Sequence, residues 1–594
     1  MLEELEGRRV LQGFFNGASM LIDRKEELNK INVFPVADGD TGSNLASLMQ
    51  AILDSVSPEL SSVESVLAEI ADAALMGARG NSGIIFAQYL NGLAQAFDQT
   101  EKQAEDFVRA LNHAVSEAYQ ALLEPKEGTI LTVMRTWAEA VHHAFSKEHS
   151  LTQALLSGRE AAAKAMHQTE FQMEVLRKNK LVDSGAKGFY IFIDGFTMAF
   201  SNQLKERSTE KASWSTTTFQ TERVTTQPTY RYCTELLLKN VGAEKETLKE
   251  TLKNAGDSLI LAGDSHLLKL HVHTNHPQQV LETVEQYGEI VQQKVDDMQL
   301  QFEVTKQRKY PIAVVTDSVA DLPKEFLLEE QVHVLPMNIL VDEISYLDKL
   351  TIDSASIKGK SAHSEKVSTA QPTVRSVDAL LSFLEDKYET ILVITVSAQL
   401  SGTYQLLKQR VKAKQLSDEK IQIIDSRLNS AAQGLLIKEA VQLLKQGLSF
   451  EAVCAEVKEI RERCFIYVAV ADLAPMVNSG RIPKGLGQLA QRLHLYPIVS
   501  LDIEGNGKLN GIAFSQRQST RKIIKKVRKL QAKNQLTALA IAHADNPEEA
   551  KRLGTLLDME QFWVDYIVDS SAAITSSAGV GSVAIAGIRR EEKE

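Results

Sequence analysis

Through roughly the first 200 residues the apolar side chains recur at helical spacing, and after that the period changes. Residues 45–56, 66–76, 107–123, 130–145 and 151–166 all follow the helical period, with few prolines and little strand-like alternation. This confines residues 1–200 to a helical bundle or barrel whose short connections gather at one end. Residues 201–229 are rich in Ser, Thr, Gln and charge and read as a linker; if flexible, its 29 residues span about 30 Å on average. In residues 230–305, strand-like runs at 232–238 and 267–273 and a helical stretch at 280–287 predict a small α/β domain. In residues 306–594 the runs 312–315, 391–396, 421–424 and 536–542 alternate with helical segments. Uninterrupted apolar runs suit a mostly parallel sheet, here in two subdomains, with ligands beyond the strands' carboxyl ends.

The apolar fraction of 44% and charged fraction of 24% are those of a globular protein. A net charge of −11 argues against nucleic acid as the main partner, since phosphate binding needs a concentrated basic surface. The basic stretch 517–533 is the local exception and reads as the solvated face of a helix. Three cysteines, Cys233, Cys454 and Cys464, imply no disulfide framework. The chain opens without the basic start and apolar core of a signal peptide, and no apolar run reaches transmembrane length. A cytoplasmic location is expected, with at most transient membrane contact.

The chemistry of the helical part lies in its turns. Asn32-Val33-Phe34-Pro35-Val36-Ala37-Asp38-Gly39-Asp40-Thr41-Gly42-Ser43-Asn44 sets two carboxylates two residues apart just before a helical pattern. A helix N-terminus offers unpaired N–H groups to an anion, and paired carboxylates can hold a hard cation such as Mg²⁺. Alone, the stretch could equally be an acidic turn capping a helix. Three further small-residue turns lie beyond it: Gly77-Ala78-Arg79-Gly80-Asn81-Ser82-Gly83, Gly128-Thr129-Ile130-Leu131-Thr132 and Asp183-Ser184-Gly185-Ala186-Lys187-Gly188. Glycines admit a phosphate close to the backbone, so four such turns point to a nucleotide–metal site, although none is a Walker A motif.

These four ordered motifs resemble the nucleotide-binding subunit of dihydroxyacetone kinases and, more closely, the kinase subunit of bacterial fatty acid kinase. The resemblance implies an all-α eight-helix barrel that binds ATP with Mg²⁺ at one end. It implies Asp38 and Asp40 as catalytic metal ligands. Thr41, Ser43, Asn44, Gly80, Asn81 and Ser82 would cradle phosphates, and Thr129, Asp183 and Gly185 would border the nucleotide. Dihydroxyacetone kinases place a third aspartate shortly before the pair; Asn32 is the nearest residue here and stands as the candidate third metal ligand.

In the middle part, His271 and His273 point to one face of a strand, and Cys233 lies on the other predicted strand. A thiolate with two imidazoles is a zinc donor set; two ordinary strand histidines and a core cysteine would look the same. Tyr232-Cys233-Thr234-Glu235, Gly256-Asp257-Ser258 and His271-Val272-His273-Thr274-Asn275 resemble the central domain of the same kinase. That resemblance implies Zn²⁺ on Cys233, His271 and His273, in a structural role.

The remainder resembles the DegV family of fatty-acid-binding proteins. The residues that carry this are Val315-Thr316-Asp317-Ser318, Ser368-Thr369-Ala370-Gln371-Pro372-Thr373, Leu400-Ser401-Gly402-Thr403-Tyr404-Gln405, Ser479-Gly480-Arg481-Ile482 and His543-Ala544-Asp545. The resemblance implies a hydrocarbon tail buried between two subdomains, its carboxylate met by Ser368, Thr369, Ser401, Gly402 and His543. Near the end, where the family has a glycine-rich segment with a histidine, this chain has Ile574-Thr575-Ser576-Ser577-Ala578-Gly579-Val580-Gly581. Without the family, these residues would read as strand-end caps.

Together the parts predict a kinase that converts ATP and a bound fatty acid to acyl phosphate and ADP. The kinase's relatives imply a homodimer, with separate acyl-binding proteins and acyltransferases as further partners. Two alternatives stand beside it. One is a dihydroxyacetone-like kinase acting with a separate substrate-holding protein, and the other is a lipid carrier or sensor whose kinase half is vestigial.

Overall fold

The computed structural model describes residues 5–33, 39–98, 103–201, 227–242, 244–342, 344–363, 366–472, 476–477, 495–558 and 563–591. The chain forms two compact units, Met1–Phe302 and Glu303–Glu594.

Among the described residues the first unit begins with ten helices: α1 (Gly7–Asp23), α2 (Lys25–Ile31), α3 (Thr41–Ser55), α4 (Val63–Gly77), α5 (Gly80–Asp98), α6 (Ala104–Gln120), α7 (Ile130–Glu148), α8 (Leu151–Gln172), α9 (Glu174–Asn179) and α10 (Ser184–Met198). Eight of them are 15 to 22 residues long; α2 and α9 are short connectors. The long helices pack each on the next, and α10 closes the ring on α1, as an eight-helix barrel requires. Rings of Phe14, Phe86, Phe189, Phe192 and Phe196 meet edge-on or tilted at 5.0–5.6 Å across α1, α5 and α10 and fill the interior.

A four-stranded antiparallel sheet comes next, formed by β1 (Tyr232–Lys239), β2 (Asp257–Gly263), β3 (Leu267–Thr274) and β4 (Glu289–Asp297) in the order β2-β3-β1-β4. It is not a free-standing domain. Leu237, Ile260, Ala262 and Leu267 join the barrel's own apolar core, and β2 and β3 pack on α4 and α5. The segment after α6 also pairs with β2: Leu123 N donates to Leu259 O, and Leu261 N donates to Ala121 O.

The described residues of the second unit form three sheets. The strands β5 (Ile312–Asp317), β6 (His333–Leu335), β7 (Asn338–Val341), β8 (Ile344–Leu347), β9 (Val367–Ala370), β10 (Thr390–Thr395) and β11 (Ile421–Asp425) supply a parallel sheet in the order β11-β10-β5-β6 and a three-stranded antiparallel sheet, β8-β7-β9. The strands β12 (Cys464–Ala469), β13 (Tyr496–Leu501), β14 (Gly507–Ala513), β15 (Leu536–His543), β16 (Tyr566–Asp569) and β17 (Val583–Arg589) form the third, in the order β14-β13-β12-β17-β15-β16.

Only β15 and β16 run parallel in this six-stranded sheet, which corrects the expectation of a mostly parallel arrangement there. The apolar runs arise because helices Ser430–Lys445 and Gln516–Ala532 both pack on it. Two-faced burial removes alternation whatever the strand direction. The basic stretch is the solvated face of helix Gln516–Ala532, as expected, with Ile523, Ile524 and Val527 buried beneath. No helix among the described residues is long and apolar enough to cross a membrane.

Candidate functional site

In the first unit the loops that open α3 and α5 converge on one pocket. Its wall includes Asn32, Asp40, Thr41, Asn44, Gly80, Asn81 and Ser82. Asp40 is the residue before α3, and its carbonyl accepts from Asn44 N at 2.8 Å. Gly80 opens α5 at φ +58, and a Cβ there would lie 2.5 Å from Asn44 Nδ2. Glycine therefore allows the two loops to close on one another. Asp38 lies outside the described residues.

The other predicted nucleotide residues do not line this pocket. Ser43 is engaged with Asn29, accepting from Asn29 Nδ2 at 2.9 Å and donating its backbone N–H to Asn29 Oδ1 at 3.0 Å. Thr129 precedes α7 and donates to Lys126 O. Asp183 caps α10, accepting from Ala186 N at 2.7 Å. Burial pushes its carboxyl up to about 6, although the amides of Ala186, Ile130 and Gly185 act in the other direction. A Cβ on Gly185 would meet Ser82 Oγ at 2.6 Å, so this turn buttresses the pocket from outside.

The middle sheet completes the pocket. Cys233, Glu235, His271, His273, Lys294 and Asp296 line it together with the loop residues. Register explains how. Cys233 stands opposite His273 on β3 and Asp296 on β4, and Glu235 stands opposite His271 and Lys294. Alternation puts all six on one face of the sheet. Cys233, His271 and His273 each offer a ligand atom, all within 4.8 Å of one another. His271 is buried, its Nδ1 is 3.7 Å from both Cys233 Sγ and Glu235 Oε1, and its Nε2 has no hydrogen-bond partner among the described residues. His273 Nδ1 lies 3.0 Å from Asp257 Oδ1.

Burial alone would raise the Glu235 carboxyl, but His271, Lys269 and Lys294 pull it well below the usual carboxylate range. Lys294 is likewise opposed by burial and held up by Asp296 and Glu235. Glu235, Lys294 and Asp296 received no role from the sequence. Polar residues alternate with apolar ones at 269–273, but Cys233-Thr234-Glu235 and β4, with Ile290, Val291 and Val295 among its polar residues, show no such pattern to single them out.

The second unit holds a mostly apolar cavity between its sheets. Val319, Met337, Val396 and Leu400 line one side, and Val468, Val499, Ala542 and Ala584 the other. Thr369 and Ser401 reach it, with Asn429, Ser430, Ser570 and Ser582 as further polar groups. Ile574, Ser577 and Ala578, from the stretch that departs from the family pattern, also line it. Ser368, Gly402 and His543 do not. Ser368 is exposed beside Thr369 on β9, and His543 is flanked by the cavity-lining Ala542 and Ala544; adjacent strand residues face opposite ways. His543 Nδ1 lies 3.1 Å from Asp569 Oδ1. Gly402 precedes helix Thr403–Ala413. The motif at 479–482 lies outside the described residues.

Buried carboxylates hold this cavity's wall. Asp348 Oδ1 accepts from Ala572 N, and Asp321 Oδ1 accepts from Ser571 N, both at 2.8 Å, fixing the start of helix Ala572–Ala578. Ser318 Oγ donates to Asp348 Oδ2, and Ser430 Oγ donates to Asp321 Oδ2, each at 2.6 Å.

Three family models match the chain in succession: the DAK2 domain at residues 35–198, the FakA-like middle domain of fatty acid kinase at 229–305, and the DegV family of uncharacterised proteins at 311–590. The chain thus joins a DAK2 domain, a FakA-like middle domain and a DegV domain. An uncharacterized protein of Staphylococcus saprophyticus is 31% identical over 313 residues, 51% of this chain and 56% of that protein. Protein YloV of Bacillus subtilis is 29% identical over 356 residues, 54% of this chain and 64% of that protein. The chain therefore spans between 56% and 64% of the length of these two curated relatives. Among solved structures, DegV of Bacillus subtilis, described as a fatty acid binding protein, is 25% identical, covering 48% of this chain and 100% of that one with a TM-score of 0.43. A DegV family protein from Thermus thermophilus, described by its fatty acid binding, is 24% identical, covering 47% and 99% with a TM-score of 0.44.

Proposed function

We propose that this chain is an ATP-dependent kinase that phosphorylates the carboxylate of a fatty acid held in its own C-terminal unit, giving acyl phosphate and ADP. In this reading residues 1–200 bind ATP, 201–229 link, 230–305 complete the kinase site and 306–594 hold the acyl chain. The observation that carries the reading is the single pocket in which the α3 and α5 loops meet a charged sheet face.

The helix N-termini and small side chains suit phosphate oxygens. The Asp40 carboxylate, together with Asp38, suits Mg²⁺, which would neutralise the polyphosphate charge. Lys294 is the cation on the sheet side of the described wall. A carboxylic acid is already ionised at neutral pH, so its oxygen attacks the γ-phosphorus without a general base. The chain's work is then to align acceptor and phosphate and to balance developing charge.

The thiolate–imidazole set of Cys233, His271 and His273 suits zinc, and the buried, unbonded Nε2 of His271 fits a ligand role. Bound there, zinc would brace the sheet face and add positive charge beside the phosphates. The apolar cavity with Thr369 and Ser401 suits an alkyl chain with a polar head, since burial of the chain stabilises by about 0.8 kcal/mol per CH₂.

The test is ADP formation by the full chain with and without added long-chain fatty acid, beside mass spectrometry of lipid extracted from the purified protein. Turnover that needs fatty acid, with acyl phosphate as product, is the expected result. Turnover with dihydroxyacetone and a separate substrate-holding protein, or bound lipid without turnover, would replace the proposal by one of the two alternatives.

A further inference from the structure

The Glu235 carboxylate is 2% exposed, and besides His271 of the Cys–His–His cluster it touches the loop that opens α5. Its Oε1 accepts the backbone N–H of Gly80 at 2.6 Å, across 155 residues of sequence. Its Oε2 has no hydrogen-bond partner among the described residues and lies 3.7 Å from Lys269 Nζ. A carboxylate is costly to bury, and an apolar residue would serve packing at this position better. What an apolar residue could not do is hold the amide that opens α5.

The first amides of any helix lack intrahelical partners and attract anions. Here Gly80 commits its amide to Glu235, which anchors a turn that favours glycine, at φ +58 and close against the Asn44 side chain. Asn81 and Ser82 come directly after it and line the pocket. Lys269 and His271 lie close to the carboxylate, so its charge does not stand alone at the place where phosphate would bind.

We propose that Glu235 is a positioning residue of the kinase site: by holding Gly80 it fixes the turn at 80–82, so that the middle sheet sets the shape of the phosphate-binding loop. The inference rests on reading this pocket as a nucleotide site.

The test compares the full chain with Glu235→Ala and Glu235→Gln, the latter keeping an acceptor oxygen. Amide hydrogen exchange across residues 78–84 reads the bond itself. Calorimetry with Mg²⁺ and a non-hydrolysable ATP analogue reads affinity, and zinc content reads the neighbouring cluster. In Glu235→Ala, exchange of this segment and the analogue's Kd should both rise about tenfold, with KM for ATP moving more than kcat; Glu235→Gln should restore both to within about threefold. Zinc content should stay unchanged in both.

Wild-type exchange and affinity in Glu235→Ala would overturn the proposal. So would a Glu235→Gln protein as impaired as Glu235→Ala, because the carboxylate charge and not the Gly80 bond would then be what matters. If the wild-type chain fails to bind the analogue, the nucleotide reading falls and the proposal with it. Failure of the variants to differ while the wild type binds well sinks only the role of Glu235.

Discussion

In the N-terminal unit the buried carboxylate of Glu235 lies among Lys269, His271 and Lys294, whereas in the C-terminal unit Asp317 and Asp348 are buried among hydroxyls, amides and one lysine, Lys349. The outcomes are opposite. Burial raises all three, yet the cations around Glu235 reverse the effect. Desolvation pushes Asp348 up to about 7 and Asp317 to about 6; neutral donors and Lys349 only partly offset it, and at Asp348 the neighbouring Asp321 carboxylate adds to it. One site keeps its carboxylate ionised among cations, whereas burial beside the apolar cavity favours the protonated carboxyl; the proposed function asks for this contrast.

The largest effect should come from Asp40→Ala. Fatty-acid-dependent ADP formation should fall about 10³-fold or more, while the lipid that co-purifies with the chain stays the same. Parallel loss of both would break the separation of the two pockets. Next is the Cys233→Ser, His271→Ala double variant. Elemental analysis should show the loss of about one equivalent of zinc and thermal melting a less stable first unit. Washed wild-type protein without zinc would remove this part of the comparison.

A smaller and more selective effect is expected in the apolar cavity. Ala584 and Ala542 stand side by side in the β15–β17 register and both line the cavity, so Ala584→Phe projects into it. Long-chain fatty acid affinity should fall about tenfold with nucleotide affinity unchanged. The subtlest change is in pH dependence. An unfolded aspartate titrates near 3.8, whereas folded Asp348 titrates near 7. Between these values the folded state holds the extra proton. The stability linked to this group is therefore full below about pH 4 and is lost as pH rises through about 7. Asp348→Asn should flatten that slope in urea unfolding measured from pH 4 to 8; an unaltered slope would show that Asp348 does not titrate in this range.

The sequence made the fold legible because period and turn chemistry are local. The helical period separates residues 1–200 from the strand-bearing remainder, and the Gly and Asp turns mark where α3 and α5 begin. It was less informative where function depends on register. Nothing within β4 says that Lys294 stands opposite Glu235, since that pairing is settled by strands β1 and β4 together. The same limit explains Ser368 and His543. Each is one residue from a cavity-lining neighbour, and a motif names both while the pleat selects one.

The pairing of residues 121–123 with β2 has a consequence for how this chain can be made and cut. A sheet edge left bare invites association with other chains, and here the barrel supplies the cover. Residues 230–305 produced alone would present that edge to solvent, together with the Leu237, Ile260, Ala262 and Leu267 face that the barrel core now shelters. Such a fragment should aggregate on purification, whereas residues 1–305 should stay monodisperse. A cell synthesising the chain from its N-terminus has the barrel ready before the vulnerable strand emerges.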